Sequence, residues 1–177
     1  MKKLPILVVL LISIISISIV SGTFALYTVT LDNLAEGSVV AKEFILLEDG
    51  EDTFEKDVKI APGETVEWEF AIKNYDGTAI SETAMDLDIK IDVKAADGKQ
   101  AIEPLKVSVV NDSEQNVGEV TGVGLIEIDD EFVLAEEGQS HTYKVIIEWP
   151  SNDEIDANYA GNGFGTALSV TVTGTQK

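Results

Sequence analysis

The sequence contains no cysteine and no arginine, and only one histidine occurs among its 177 residues. The absence of cysteine excludes disulfide bonds and thiolate metal sites. A single histidine excludes the His-Glu-x-x-His zinc motif, and the Gly-x-Ser-x-Gly motif of many serine hydrolases does not occur either. The sequence therefore predicts a protein that is not an enzyme and has no catalytic residues. Packing and backbone pairing alone must stabilise its fold.

Basic residues are also scarce. The sequence has 12 lysines against 32 aspartates and glutamates, which gives a formal net charge of −20. The first 25 residues contain two of these lysines and no acid, so their removal would change the charge from −20 to −22. A surface of this sign repels phosphate backbones and anionic lipid headgroups, which argues against nucleic acid as a partner. It also predicts that cations matter wherever two copies of the chain meet.

The N-terminus is typical of a secretory signal. Lys2 and Lys3 precede an apolar run, Leu4–Val20, and small residues follow it. Thr23 and Ala25 suit the −3 and −1 positions of a cleavage site, so we predict cleavage after Ala25. The mature protein would then be secreted, found outside the cell or at its surface, and in contact with the membrane only before cleavage. In the alternative interpretation this run, just short of the ~18 residues of a membrane span, stays uncleaved as an anchor.

The clearest pattern in the chain lies between Pro62 and Val93. Apolar residues alternate with polar ones in residues 65–73 and again in residues 85–94. This is the period of a strand with one buried face. Asn74–Thr78 is polar and contains a glycine, as turns do. We therefore predict a β-hairpin with two long arms at the centre of a sheet.

Shorter alternating runs predict further strands in residues 26–31, 39–47, 54–60, 105–109, 141–149 and 164–172. The three glycines of residues 111–137 argue against a helix, and we predict a surface loop there with short strands at Leu125–Ile128 and Phe132–Leu134. Seven to nine strands with turns between them and little helix predict an all-β fold. The expected architecture is one antiparallel β-sandwich of the jelly-roll or Ig-like kind.

Few side chains indicate a binding site. His141 lies on the apolar parity at the start of a strand, as half-buried structural side chains do. Trp68 and Trp149 share this parity, which favours core anchors over a sugar site. Asn111 begins an Asn-Asp-Ser triplet in a predicted loop and is a candidate glycosylation site.

Oxygen ligands are abundant, and calcium takes several of them. Asp153, Asp156 and Asn158 crowd one loop and are the candidate calcium ligands, while Asp129-Asp130-Glu131 crowds another. Neither loop has the spacing of an EF-hand, and a solvated acidic loop is the alternative interpretation. No other cofactor or metal is predicted.

Four places in the sequence carry a family resemblance. Gly22-Thr23-Phe24-Ala25 closes the apolar segment, and Pro62-Gly63-Glu64 precedes a strand and a turn with Asn74, Gly77 and Thr78. Asn158-Tyr159-Ala160-Gly161 lies in the last long loop, and the final strand closes with Thr175-Gln176. These motifs resemble those of the TasA/camelysin family of secreted matrix-fibre proteins, which includes archaeal TasA-like pilins.

The resemblance implies a jelly-roll domain, residues 38–177, that polymerises by donor-strand exchange. It assigns the donor strand and its linker to residues 26–37, and the strand itself to Leu26, Tyr27, Thr28, Val29, Thr30 and Leu31. The partner would be another copy of the chain, in a head-to-tail homopolymer such as a pilus or a biofilm matrix fibre. Some family members are labelled metallopeptidases, but the sequence lacks residues for zinc hydrolysis.

Two alternatives remain open at this point. From the residues alone, the segment 26–31 would be the first edge strand of its own domain. The alternative function is a membrane-anchored monomeric surface module that binds a partner or a glycan.

Overall fold

A computed structural model describes residues 28–32, 39–41 and 44–177, which form β-strands joined by turns and loops, with a short 3₁₀ helix at Asp156–Tyr159. The strands are β1 Thr28–Asp32, β2 Val39–Ala41, β3 Phe44–Glu48, β4 Thr65–Lys73, β5 Tyr75–Asp76, β6 Ala79–Ile80, β7 Met85–Ala95, β8 Lys106–Asn111, β9 Asn116–Thr121, β10 Gly124–Phe132, β11 Ser140–Glu148 and β12 Thr166–Gln176. The prediction of an all-β fold is confirmed.

The strands form two main antiparallel sheets and one small two-stranded sheet. The first main sheet has the order β1-β12-β7-β10, and the second has the order β2-β3-β4-β11-β8-β9. Four nested antiparallel pairs, β1–β12, β4–β11, β7–β10 and β8–β9, alternate between the two sheets. This is the winding of a jelly roll, so the predicted antiparallel sandwich is confirmed. The β2–β3 hairpin is an addition before β4 that extends the second sheet.

The core lies between the inward faces of these two sheets. β7 contributes every second residue to it, and all five such side chains are buried: Met85, Leu87, Ile89, Ile91 and Val93. β4, β8 and β11 of the opposite sheet contribute Phe70, Ile72, Val107, Val109, Tyr143, Val145 and Ile147. Because side chains alternate between faces, a one-residue slip of β7 would expose its whole apolar set. Burial of each large side chain contributes roughly 1.5–3 kcal/mol, so the register of β7 is strongly specified.

The predicted central hairpin is wrong, because β4 and β7 lie in different sheets. β4 pairs with β11, whereas β7 pairs with β10 and β12. The residues between them form the small β5–β6 hairpin and carry the chain across the sandwich. Buried Asn74 holds this crossing: its N–H donates to the Gln139 carbonyl at 3.1 Å, and its Oδ1 accepts from the Gln139 N–H at 2.7 Å. Alternation reports a buried face, and it does not report the neighbouring strand.

Two other strand predictions for the first third of the chain are also corrected. The run 39–47 is two strands, since β2 and β3 pair with each other from Val39 opposite Leu46 to Ala41 opposite Phe44. Residues 54–60 form no strand, and Asp57 there has a φ of +60°. Phe54 packs on Trp68 instead, with ring centroids 5.0 Å apart.

The segment 111–137 is not the predicted surface loop. It contains β9 and the nine-residue β10, which is paired with β7 along its whole length. The two predicted short strands therefore merge into one that passes through Asp129-Asp130-Glu131 and ends at Phe132. Asp130 takes an inward position between Ile128 and Phe132, and a carboxylate at such a position concealed the period of the strand.

The predicted signal peptide, residues 1–25, lies outside the described residues, and so do its cleavage point after Ala25 and the alternative anchor Leu4–Val20. Among the residues that the structure describes, no helix is long and apolar enough to cross a membrane.

Candidate functional site

The edge of the first sheet is the place where the structure puts the predicted donor segment. β1 pairs antiparallel with β12 of the same chain, from Thr28 opposite Thr175 to Asp32 opposite Thr171. The hydroxyl oxygens of Thr30 and Thr173 lie 3.4 Å apart on the outer face of this pair. Leu26 and Tyr27 lie outside the described residues. In the single chain, therefore, the described part of the segment occupies the edge-strand position of its own domain.

The register of this pair places two apolar residues of β1 opposite the core-facing positions of β12. Val29 lies opposite Gly174, and Leu31 lies opposite Val172. Gly174 and Val172 are both buried. Residues directly opposite each other share one face of a sheet, so this register matches the apolar alternation that the sequence shows in residues 26–31.

Gly174 makes this part of the edge unusually tight. A Cβ at position 174 would lie 2.5 Å from Met85 Sδ and 2.9 Å from Leu46 Cδ2. Met85 belongs to the same sheet, whereas Leu46 belongs to β3 of the opposite sheet, and both side chains are fully buried. Met85 and Leu46 thus fill the space that a side chain at position 174 would need.

Substituting Gly174 with alanine should therefore destabilise the domain. Overpacking a filled core costs about 1–3 kcal/mol, and we expect the free energy of unfolding to fall by that amount. Gly163→Ala is the matched control, because nothing lies within 4 Å of a Cβ built there. Urea unfolding of the two variants measures both values. Equal stability of Gly174→Ala and the wild-type protein would show that Met85 and Leu46 can move aside at no cost.

A second cluster joins the two sheets at the same end of the sandwich. Asp130 Oδ2 of β10 accepts a short hydrogen bond from the Tyr143 hydroxyl of β11 and lies 2.8 Å from His141 Nδ1. The rings of His141 and Phe132 are 4.7 Å apart, and Tyr143 stacks on Phe70 at 5.2 Å. His141 is thus the half-buried structural side chain that the sequence indicates. Asp130 and Tyr143 were not identified as its partners, since nothing in the spacing of β10 and β11 links them.

The electrostatics of this cluster follow from burial and from its hydrogen bonds. Partial burial acts to raise the pKa of Asp130, but bonds from Tyr143 and from the Glu131 N–H, together with neighbouring His141, outweigh it and hold that pKa below its usual value. Burial and the Asp130 carboxylate raise the pKa of Tyr143 far above its ordinary value. Tyr143 therefore stays a neutral donor, and the cluster acts as a brace between β10 and β11.

The same geometry does not assemble a catalytic triad. Ser140, the serine next to His141 in sequence, donates its hydroxyl to Asp49 Oδ2 at 2.6 Å. Asp49 is itself bound by Lys73 at 3.1 Å, so this serine belongs to a surface hydrogen-bond network. The Tyr143 hydroxyl is occupied by Asp130 and has its pKa raised, which makes it a poor nucleophile.

One acidic residue of the candidate calcium loop, Asp156, has a structural role. Asp156 Oδ1 accepts from the Trp149 indole N–H at 3.1 Å, and Asp156 Oδ2 accepts from the Asn152 N–H at 2.7 Å. Asp153 is exposed and Asn158 lies in the 3₁₀ helix that follows. Within the described part of the chain, no three histidine, aspartate or glutamate side chains are grouped so that they could hold a metal ion.

The remaining candidates have local structural roles. Asn111 ends β8, and its Oδ1 accepts from the N–H groups of Ser113 and Gln115 at 3.0 and 3.1 Å, which closes an exposed turn. Trp149 is 3% exposed and belongs to the core. Trp68 is partly buried and packs against the core.

Comparison with models of known protein families finds no match, and comparison with curated proteins finds none either. The resemblance to the TasA/camelysin family therefore depends on the four motifs given above.

Proposed function

We propose that the protein is the structural subunit of an extracellular filament, a pilus or a biofilm matrix fibre, which polymerises by donor-strand exchange of β1. The observation that supports this most is the place of β1. It precedes every other described strand, lies at a sheet edge and pairs with β12 through only five residues. An extended strand that adds to an exposed sheet edge is a common mode of association, with backbone bonds for affinity and alternate side chains for specificity.

Exchange conserves the pairing of each subunit. If β1 of one copy replaces β1 of the next, every bond between β1 and β12 is re-formed in the same register. The other strand pairs of both sheets are unaffected, because β1 pairs with no strand except β12 among those described. Such a contact is head-to-tail and propagates into a filament, whereas a reciprocal contact would close a dimer. Electron microscopy of the purified mature protein tests this proposal.

Charge should control the rate of this assembly. Subunits that carry about −22 each repel one another, and physiological salt screens that repulsion beyond ~8 Å. We expect polymerisation to quicken with added sodium chloride and with millimolar calcium, followed by light scattering. Identical rates at low salt, at high salt and with calcium would contradict this expectation.

The alternative function is a monomeric surface module held by an uncleaved N-terminal anchor. The pairing of β1 within its own chain favours this alternative, since a monomer needs its edge covered. Mass spectrometry of the secreted protein distinguishes the two: a chain that begins at Leu26 supports the filament subunit, and an intact N-terminus supports the anchored module.

We expect no hydrolytic activity from either form. Ser140 is bound to Asp49, and the His141–Asp130 pair has Tyr143 as its third member. Purified mature protein should leave casein uncleaved over a long incubation. Proteolysis that chelators inhibit and that His141→Ala abolishes would contradict this prediction.

A further inference from the structure

Three exposed strand edges of the sandwich carry features that discourage strand addition. Charges, irregular pairing and short length are the usual ones. The outer face of β10 carries Glu127, Asp129 and Glu131, β2 has only three residues, and the β8–β9 pair has a register shift at Val109 and Val110.

The edge of β12 differs along half of its length. β7 pairs with all of β12, but β1 covers only Thr171–Thr175 on the other side. Within the described part of the chain, no strand pairs with that side of Thr166–Val170. This half, Thr-Ala-Leu-Ser-Val, contains no charge and no proline, so it lacks the usual protection of an edge. We call Thr166–Val170 the open edge.

Burial differs along the same side of the sandwich. Near β1, the β3 side chains Phe44 and Leu46 are 2% and 0% exposed. Leu168 on the open edge is only half-buried, as are Phe54 and Trp68 on the side of the second sheet. The apolar seam between the sheets is therefore complete beside β1 and incomplete beside the open edge.

We propose that the open edge is the docking site for residues 33–37 of a second copy, and this inference depends on the donor-strand function proposed above. In the exchanged state these residues would continue β1 in unbroken register, from Asn33 opposite Val170 to Gly37 opposite Thr166. Five residues of linker then match five residues of open edge. The paired donor segment lengthens from five residues to ten, which makes the contact between copies longer than the contact within one chain.

Chain geometry prevents a single copy from making these bonds to itself. Val39 pairs with Leu46, whose side chain lies against Gly174. Gly174 lies eight positions beyond Thr166 along β12, which is roughly 26 Å at strand rise. One residue, Ser38, separates Gly37 from Val39, and a chain reaches at most ~3.6 Å per residue. Residues 33–37 can therefore line the open edge only when Val39 belongs to a different copy.

Hydrogen–deuterium exchange of monomer and filament tests this pairing. We expect the amides of Thr166–Val170 that point away from β7 to exchange at least tenfold more slowly in filaments than in monomers, while the amides of Thr171–Thr175 are slow in both. Filaments whose open-edge amides exchange as fast as in the monomer would overturn this inference and leave the proposed function standing. Open-edge amides that already exchange as slowly in the monomer as in the filament would also overturn it. Failure of the wild-type protein to form filaments would overturn the proposed function and this inference with it.

Proline variants test the same pairing by growth rate. The N–H groups of adjacent strand residues point to opposite sides, and proline has none. One of Leu34→Pro and Ala35→Pro should therefore lose a bond to the open edge, and the other should not. We expect one variant to elongate at least tenfold more slowly than the other, with Leu34→Ala and Ala35→Ser as controls. Equal rates for the two proline variants would contradict the proposal.

Discussion

Mature protein that lacks Leu26–Leu31 is expected to remain folded and monomeric and to form no filaments. The deletion removes the only strand that the proposal passes between subunits, and it leaves the pairs of β12 with β7 and of β7 with β10 in place. Circular dichroism and gel filtration should show a folded monomer, and micrographs should show no fibres. Because the deletion exposes the edge of β12, the shortened protein should bind an added peptide of sequence Leu26–Asn33.

A single acidic substitution in β1 should weaken filament assembly nearly as much as the deletion does. Val29→Asp sets a carboxylate at the register position opposite buried Gly174, whereas Thr30→Asp sets one opposite Thr173 on the outer face. An apolar side chain that faces the core contributes roughly 1.5–3 kcal/mol, so the donor-strand proposal predicts that donor affinity falls at least ~10–100-fold in Val29→Asp and much less in Thr30→Asp. Filaments from the deleted protein, or equal assembly of the two aspartate variants, would contradict the donor-strand mechanism.

Asp130→Ala is expected to lower the stability of the domain more than a change at any neighbouring acid. It leaves the Tyr143 hydroxyl, on a residue that is 1% exposed, without its acceptor. An unpaired buried donor costs about 1–3 kcal/mol, which urea unfolding at neutral pH would measure. Asp129→Ala is the control, because Asp129 is the exposed neighbour on the opposite face of β10. Tyr143→Phe combined with Asp130→Ala should cost less than the sum of the two single changes.

The loss of stability caused by Asp130→Ala should depend on pH. The folded protein holds the pKa of Asp130 below its ordinary value of 3.8. The stability that this carboxylate contributes is therefore complete above that value and is lost as the pH falls through the lower folded pKa. The difference in stability between the wild-type protein and Asp130→Ala should shrink as the pH falls from 5 to below 3.8. A difference that is unchanged at pH 2.5 would contradict this assignment.

The sequence predicted the strands whose apolar face is uninterrupted. β7, β11 and β12 follow the alternating runs closely, and β11 ends before Pro150 as expected. β10 was predicted only as two short strands, because Asp130 occupies a core-facing position between them. Only the fold shows that Asp130 contacts Tyr143 and His141 there. The alternation of residues within one strand does not identify which side chains of another strand they contact.

Strand partners that lie far apart along the chain were also not predictable from the sequence. The arms around Asn74–Thr78 have the alternation of a hairpin, yet they face each other across the core because Asn74 and Gln139 hold the crossing. Residues 54–60 alternate weakly, and Phe54 uses its side chain against Trp68 without joining a sheet. For the candidate interface, the alternation of residues 26–31 predicted an edge strand, while Gly174 and its two close neighbours could be identified only from the packing.

Disulfide trapping in assembled filaments tests the exchange of β1 most directly. Thr30 and Thr173 are directly opposite each other with their hydroxyls 3.4 Å apart, and such pairs have the Cα separation that a disulfide needs. The chain has no native cysteine to compete. Filaments of the Thr30→Cys, Thr173→Cys double variant would be grown under reducing conditions, oxidised and run on a denaturing gel. Donor-strand exchange predicts a ladder of covalent multimers, whereas visible filaments that yield only internally bridged monomers would contradict it.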